Sequence, residues 1–398
     1  MEKTAIILAP DDRGLQPVFG IPAVRRLALL ILQMGLRAVH IVGHVNPLTA
    51  ILSDLLPPQA FHQLDDPSSL DRVAEGLALL DEERVLVLKA NLVIDRHSLA
   101  RLIEAGNNSG LYYMEAVGEN GAERLYVCSP ADLVSVFRGL WSLDSSYFTI
   151  PDKAQLVRGV AGLPYAADKG EEQTRSAEAK LIAALSFQTA AGDGFLARHF
   201  DRRISRAISE RLARTRATPN QITLGGMTIG LIGAYLLSWP GYWSHLIGSL
   251  LFLFCVIVDG VDGEVARLTV QETRFGHYLD IITDNIVHGA IFAGIAFGLY
   301  HDTGDGGYLR ALWFLMGGFG LSIVAVYHCI LRRSPDELRR SPITIRLMTL
   351  LASRDFAYLV VVLAIFNRLS WFLIGAAAGS YLFAAALWII SIREKANA

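Results

Sequence analysis

From Ala217 to Val258 the chain has no aspartate, glutamate, lysine or arginine. So long an uncharged, apolar stretch points to lipid rather than water as its surroundings. Cysteine is nearly absent. Cys128, Cys255 and Cys329 lie far apart with no CxxC spacing, which argues against a disulfide framework or a zinc site. An excess of either charge is also missing. Lys and Arg total 36 against 38 Asp and Glu, leaving a formal net charge of −2, so nothing suggests a nucleic-acid partner. The opening MEKTAIILAPDD has too short an apolar run for a signal peptide. The N-terminal domain is therefore expected in the cytoplasm.

The 398 residues are 52% hydrophobic and 19% charged, but unevenly so. Residues 1–216 have the composition of a soluble protein, whereas residues 217–398 are built for a membrane. Six apolar stretches approach the length of about 20 residues that a membrane helix needs. They are 221–239, 243–263, 275–300, 309–331, 347–367 and 371–392. The segment before the first carries Arg198, Arg202, Arg203, Arg206, Arg211, Arg214 and Arg216. The loop before the fifth carries Arg332, Arg333, Arg339, Arg340 and Arg346. The positive-inside rule then puts both termini in the cytoplasm of a multi-pass cell-membrane protein. Residues 193–217 alternate apolar and basic positions and predict a helix on the inner membrane surface, with Phe195, Leu196, Phe200, Ile204 and Ile208 needing cover. Polar residues 166–192 are expected to be a flexible linker.

The chemistry concentrates in VDGVDGEVARLTVQETRFGHYLDIITDNIV, in the pattern D-x2-D-G-x2-A-R-x8-G-x3-D-x3-D. Asp259 and Asp262 are three apart, Asp280 and Asp284 four apart, so each pair shares a helix face. A carboxylate inside an apolar helix is costly, and such acids are functional candidates by default. Four of them need cations to share, and hard divalent ions such as Mg²⁺ take oxygen ligands of this kind. Gly263 and Ala266 leave room for a ligand, Arg267 offers a fixed cation for a diphosphate, and Gly276 clears space one turn before Asp280. The same acids could also serve a transporter as an ion path.

All eight fixed positions resemble the signature of the CDP-alcohol phosphotransferase family, and the likeness runs over about 190–398. It implies six membrane helices, a polar cavity open to the cytoplasm, a homodimer among membrane lipids, and a two-metal site using Mg²⁺ or Mn²⁺. Asp259, Asp262 and Asp280 resemble the family's main metal ligands, and Asp284 its second-metal ligand and general base. Gly263, Ala266, Arg267 and Gly276 match positions lining the nucleotide site, together with Asp262. Asn220 and Thr223 resemble polar groups beside the nucleotide. The implied reaction moves a substituted phosphate from a CDP-alcohol donor to an acceptor hydroxyl, releasing CMP. Arg354 is the candidate contact to an acceptor phosphate. His245, His277, His288 and His328 are assigned to packing. The pairs Gly226/Gly230, Gly294/Gly298 and Gly375/Gly379 are assigned to close helix packing within the chain or to a dimer face.

The soluble part, 1–165, has strand-like runs at 3–9, 37–43 and 84–90 with helical patterns at 21–35, 68–81 and 97–105. This predicts an α/β, Rossmann-like domain with a largely parallel sheet. Over about 1–140 it resembles the sugar-phosphate nucleotidyltransferases. The resemblance fails at the functional positions. Pro10-Asp11-Asp12-Arg13-Gly14 stands where a basic, glycine-rich loop would hold phosphates, and Ala90-Asn91 where a metal-binding Gly-Asp would be. A non-catalytic domain is expected. The overall layout resembles bifunctional enzymes that make CDP-inositol and condense it with inositol phosphate. That implies a phosphoinositol-type acceptor or a lipid headgroup alcohol, and keeps open the alternative that this domain makes the CDP-alcohol from CTP.

Overall fold

The computed structural model describes residues 4–36, 38–64, 69–78, 84–107, 110–118, 121–141, 154–159, 164–166, 170–189, 201–331 and 356–396. The chain divides into two compact units. One holds Met1–Gln188 with Ala213–Thr215 and Arg267–Val270; the other holds Thr189–Leu212, Arg216–Ala266 and Gln271–Ala398.

The first unit is an α/β sandwich around one mixed sheet. Its strands are β1 (Thr4–Ala9), β2 (Pro17–Val18), β3 (Ile21–Pro22), β4 (Ala38–Gly43), β5 (Phe61–Gln63), β6 (Val85–Lys89), β7 (Leu92–Val93), β8 (Leu111–Gly118), β9 (Gly121–Cys128), β10 (Ala154–Leu156) and β11 (Tyr165–Ala166). The main sheet runs β5-β4-β1-β6-β9-β8-β11-β7, with β10 on β8 and β2–β3 apart. The pairs of β1 with β4 and β6, and of β4 with β5, are parallel; β9 is antiparallel to both β6 and β8. All six residues of β1 are buried. Its apolar run lacks alternation because both faces are covered. Ala5, Ile7 and Ala9 enter one core with α1 (Ala23–Gln33), α2 (Asn46–Leu52) and later α4 (Arg96–Ala105). Ile6 and Leu8 enter the other, with α3 (Ser69–Ala78) and α5 (Leu133–Trp141). The expected parallel half is present, and the β8–β9 hairpin adds an antiparallel half.

Residues 171–189 are not a linker of irregular chain. They form α6 (Glu171–Thr189), with Ala177, Leu181 and Ala184 buried. Glu171 and Glu172 favour its first turn through the helix dipole; of the polar residues that suggested a linker, Glu171, Glu172 and Arg175 are exposed while Glu178 is buried.

The second unit is helical: α7 (Arg202–Leu212), α8 (Pro219–Leu237), α9 (Tyr242–Leu268), α10 (Arg274–Thr303), α11 (Gly307–Val326), α12 (Phe356–Ile365) and α13 (Leu369–Ala396). Each of the six expected spans overlaps one helix from α8 to α13. Among the described residues, four helices are long and apolar enough to cross a membrane: Tyr242–Leu268, Arg274–Thr303, Gly307–Cys329 and Leu369–Arg393. α12 covers 10 described residues, and the start of the expected fifth span, 347–355, lies outside the described residues. So do Phe195, Leu196 and Phe200 of the juxtamembrane stretch. In its described part, Ile204 remains 44% exposed while Ser205 and Ser209 are buried.

Glycine sets how closely α8 approaches its neighbours. A Cβ on Gly294 would lie 2.4 Å from the Ala234 carbonyl oxygen, and one on Gly298 2.1 Å from that of Leu237. On α8 itself, Cβ atoms at Gly226 and Gly230 would meet Val258 at 3.3 Å and Val287 at 2.6 Å. These pairs are packing devices within the chain. Gly375 and Gly379 differ: among the described residues, nothing lies within 4 Å of either Cβ position. Gly294→Leu should therefore lower the thermal unfolding midpoint in detergent, at a cost of roughly 1–3 kcal/mol or more. Gly375→Leu should leave it unchanged, and equal losses would contradict this packing account.

Candidate active site

The site is assembled where α8 and α10 begin and α9 ends. α8 starts with a capping box: Gln221 N donates to Thr218 Oγ1 at 3.4 Å, Thr218 N donates to Gln221 Oε1 at 3.0 Å, and Pro219 occupies the first turn. This fixes the chain entry and places Asn220 and Thr223 on the first turns. α10 starts at Thr273, whose hydroxyl accepts from Gly276 N at 2.9 Å. A Cβ on Gly276 would lie 3.1 Å from Asn220 Oδ1. The glycine thus lets the two helix starts approach.

α9 ends in a Schellman motif. Gln271 N donates to Ala266 O at 2.8 Å and Val270 N to Arg267 O at 3.5 Å, with Val270 at φ 54°. Glycine usually fills that left-handed position, and a β-branched residue there costs about 1–2 kcal/mol. The tight reversal brings the last third of α9 beside the first third of α10. At 27 and 30 residues these helices are about 40 and 45 Å long, longer than the roughly 30 Å of a bilayer's hydrocarbon. The motif sits at the end with length to spare.

The four aspartates lie together there. Thr223 Oγ1 donates to Asp262 Oδ2, and Gly263 N donates to Asp262 Oδ1; Asp262 is buried. Asp280 lies in the field of Asp259, Asp262 and Asp284. Asp259 and Asp284 line a cleft with Thr223, Gly226, Met227, Cys255, Thr283 and Val287. With its open mouth included, the cleft measures about 260 Å³. The donor set is all oxygen, which suits a hard divalent ion. Among the described residues, though, no group of three or more His, Cys, Asp or Glu side chains is gathered closely enough to hold a metal. Asp262 engages both carboxylate oxygens in hydrogen bonds within the chain. Ala266 and Arg267 lie on the last turns of α9. Arg354, and the arginines at 332–346, lie outside the described residues.

In the first unit, general rules for open α/β sheets put a ligand beyond the carboxyl ends of the parallel strands. There Glu123 Oε1 takes Arg13 Nη1 at 3.1 Å, Lys89 Nζ at 3.6 Å and Asn91 Nδ2 at 3.4 Å. Arg13 Nε also pairs with Asp11 at 2.7 Å. A Cβ on Gly14 would sit 2.7 Å from Ala90 Cβ, so that glycine serves close packing. Burial pushes the Cys128 thiol well above its ordinary pKa, which leaves it a poor nucleophile.

Residues 216–392, which contain every part of the aspartate site, match the profile of the CDP-alcohol phosphatidyltransferase family. Residues 216–392 are a CDP-alcohol phosphatidyltransferase domain. The chain is 39% identical over 108 residues to a bifunctional IPC transferase and DIPP synthase of Thermococcus kodakarensis, covering 27% of this chain and 23% of that protein. With the protein of the same name from Archaeoglobus fulgidus it is 32% identical over 182 residues, 42% of this chain and 35% of the other. A phosphatidylinositol phosphate synthase of Mycobacterium tuberculosis is 37% identical over 101 residues, 25% and 46% of the two chains. The chain thus spans about a quarter to a third of the length of the two bifunctional relatives. Among solved structures, the Mycobacterium tuberculosis phosphatidylinositol phosphate synthase with CDP-DAG bound is 22% identical, covers 48% of this chain and 92% of that one, and superposes with a TM-score of 0.31. A 4-diphosphocytidyl-2C-methyl-D-erythritol synthase of Anaerococcus prevotii is 14% identical, covering 45% and 98%, with a TM-score of 0.34.

Several residues of the phosphatidyltransferase domain's site escape a spacing argument. Thr283 lies between two motif aspartates, and Met227 and Cys255 read as ordinary apolar positions. His288 is packed among the rings of Phe252, Phe292 and Phe356, as a packing histidine should be, yet its Nδ1 is 3.5 Å from Asp284 Oδ1. Glu264 is the largest omission: it accepts from Arg202, Ser205 and Ser209. The i, i+3, i+7 spacing of those donors was the available signal. The Thr223 bond is testable. Thr223→Val, which keeps the shape, should lower kcat/KM for the donor by about tenfold or more, while Thr223→Ser should retain most activity. Equal loss in both would assign Thr223 to packing.

Proposed function

We propose that the chain is an integral membrane transferase that moves a substituted phosphate from a CDP-alcohol to an acceptor hydroxyl, releases CMP and forms a phosphodiester. The observation that carries it is the cleft lined by Asp259 and Asp284, with Asp280 in the field of both and of Asp262, within a CDP-alcohol phosphatidyltransferase domain. Asp259, Asp262 and Asp280, with Asp284, are the residues to hold Mg²⁺ or Mn²⁺ at a two-metal site. When bound, the metal would neutralise the diphosphate and polarise the attacked phosphorus. Thr223 and Gly263 hold the Asp262 carboxylate in orientation, and Asn220, Ala266, Arg267 and Gly276 border the nucleotide. Asp284 takes the proton from the acceptor hydroxyl. The acceptor oxygen bonds to the β-phosphorus, the bond from that phosphorus to the bridging oxygen breaks, and CMP leaves with that oxygen. The acceptor is an inositol phosphate or a lipid headgroup alcohol, in keeping with the names of the relatives. The protein works as a homodimer in the cell membrane, with both termini cytoplasmic.

The names of the relatives also favour a second reading, in which the N-terminal domain makes the CDP-alcohol from CTP. We favour a non-catalytic domain. Its basic groups Arg13 and Lys89 are spent on Glu123, and Asn91 is a weaker ligand for a hard cation than a carboxylate. Such transfer depends on charge neutralisation at the phosphates.

Purified full-length protein should release CMP from at least one CDP-alcohol with Mg²⁺ or Mn²⁺, tested with CDP-diacylglycerol and CDP-inositol against several acceptors. CMP no higher than with Asp280→Asn would sink the transferase reading and favour an ion path. Asp284→Asn should abolish turnover, by about 10²-fold or more, while sparing donor binding; Asp259→Asn should weaken binding too. The full-length chain should also yield no pyrophosphate from CTP with any sugar or polyol phosphate. Pyrophosphate release that depends on such a phosphate would restore the bifunctional reading.

A further inference from the structure

The juxtamembrane helix α7 meets the helical unit through polar side chains. Arg202, Ser205 and Ser209 recur every three or four residues and so share one face. All three donate to a single carboxylate, Glu264 on α9: Arg202 Nη1 at 2.8 Å, Ser205 Oγ at 3.0 Å and Ser209 Oγ at 2.7 Å. Ser205 and Ser209 are buried, and the Glu264 side chain is 12% exposed. Just ahead of the helix, buried Asp201 accepts from the Tyr358 hydroxyl of α12. Behind, Ile208 and Leu212 pack with Ile222, Val261 and Val265 of α8 and α9. α7 is therefore fastened to three helices. A helix merely resting on lipid would turn apolar residues inward and leave its serines in water; here the serines are the buried contacts.

The placement of Glu264 matters. It follows Gly263 directly, lies two residues beyond Asp262, and precedes Ala266 and Arg267 within one turn. Bonds to an ionised group in a partly dry setting are stronger and more directional than neutral ones. Three of them on one side chain resist rotation of the helical turn that carries the motif. The opposite face of α7 leaves Arg203, Ala207 and Arg211 exposed, so the contact with α9 is made by a chosen face.

We propose that Glu264 is a positioning residue: by clasping Arg202, Ser205 and Ser209 it sets the end of α9 so that Asp262 and Gly263 face the donor's diphosphate. Its kinetic consequence rests on the transferase reading above; the clasp itself does not.

The test uses the full-length protein in lipid nanodiscs, with Glu264→Ala, Glu264→Gln, the double Ser205→Ala/Ser209→Ala, the triple combination, and Arg211→Ala as a control on the exposed face. Hydrogen–deuterium exchange over 202–212 should quicken about tenfold or more in Glu264→Ala, return most of the way in Glu264→Gln, and stay unchanged in Arg211→Ala. KM for the CDP-alcohol should rise by about tenfold in Glu264→Ala with a smaller change in kcat. Glu264→Gln should recover most of that, because its amide oxygen still accepts from one serine while its NH2 can donate to the hydroxyl oxygen of the other. The triple variant should be no worse than Glu264→Ala, as expected for residues acting as one unit. Unchanged exchange in Glu264→Ala, a fall in kcat at constant KM, or losses that simply multiply would each overturn the proposal. Should Glu264→Ala fail to fold, the glutamine and double-serine variants decide the matter by the same two measurements. Should the unaltered protein release no CMP from any CDP-alcohol, the transferase reading falls, while the exchange experiment still decides the clasp.

Discussion

Carboxylates at one end of two apolar helices repel one another, and most of what surrounds them offsets that repulsion. Asp262 is held by the Thr223 hydroxyl and the Gly263 amide. A buried carboxylate without such partners would cost several kcal/mol. The requirement propagates outward. Thr223 can reach Asp262 only if α8 lies close against α9, and α8 lies close because glycines face its neighbours. A side chain at Gly226 or Gly230 would push α8 away. Even the strained Val270 belongs to this constraint, since the Schellman turn that demands it returns the chain so that α10 can present Asp280 and Asp284 beside α9.

The juxtamembrane helix answers to the same end of the bundle. Its alternation of apolar and basic residues was legible as a helix on the membrane surface, but its buried face is polar and closes on Glu264. A glutamate inside the motif, at a position the pattern leaves free, thereby joins the aspartate site to a helix that precedes the first apolar stretch.

In the first unit, a comparable crevice has taken a different course. Arg13, Lys89 and Asn91 converge where a ligand would be expected in an open α/β sheet, and Glu123 from the antiparallel strand β9 neutralises them. The sheet keeps its architecture because that depends on the double-sided burial of β1 and β6. The chemistry of the crevice depends on a few polar side chains that packing does not constrain.

Much of this was legible without coordinates. Apolar runs without alternation marked β1 and β6, because a strand covered on both faces has no reason to alternate. The spacing of Asp259, Asp262, Asp280 and Asp284 marked two helix faces, because helical periodicity fixes which residues are neighbours along one element. Sequence by itself thus determined the two-part layout, the element types and the family of residues 216–392. It went wrong at α6, where a helix read as a linker. Only the tertiary structure decided the partners of Asp262, the binding of Glu264 by serines more than fifty positions away in the chain, and the closing of the Arg13–Lys89 crevice by Glu123. Periodicity reports on neighbours along a helix or strand; contacts between elements depend on how those elements pack, which no local pattern records.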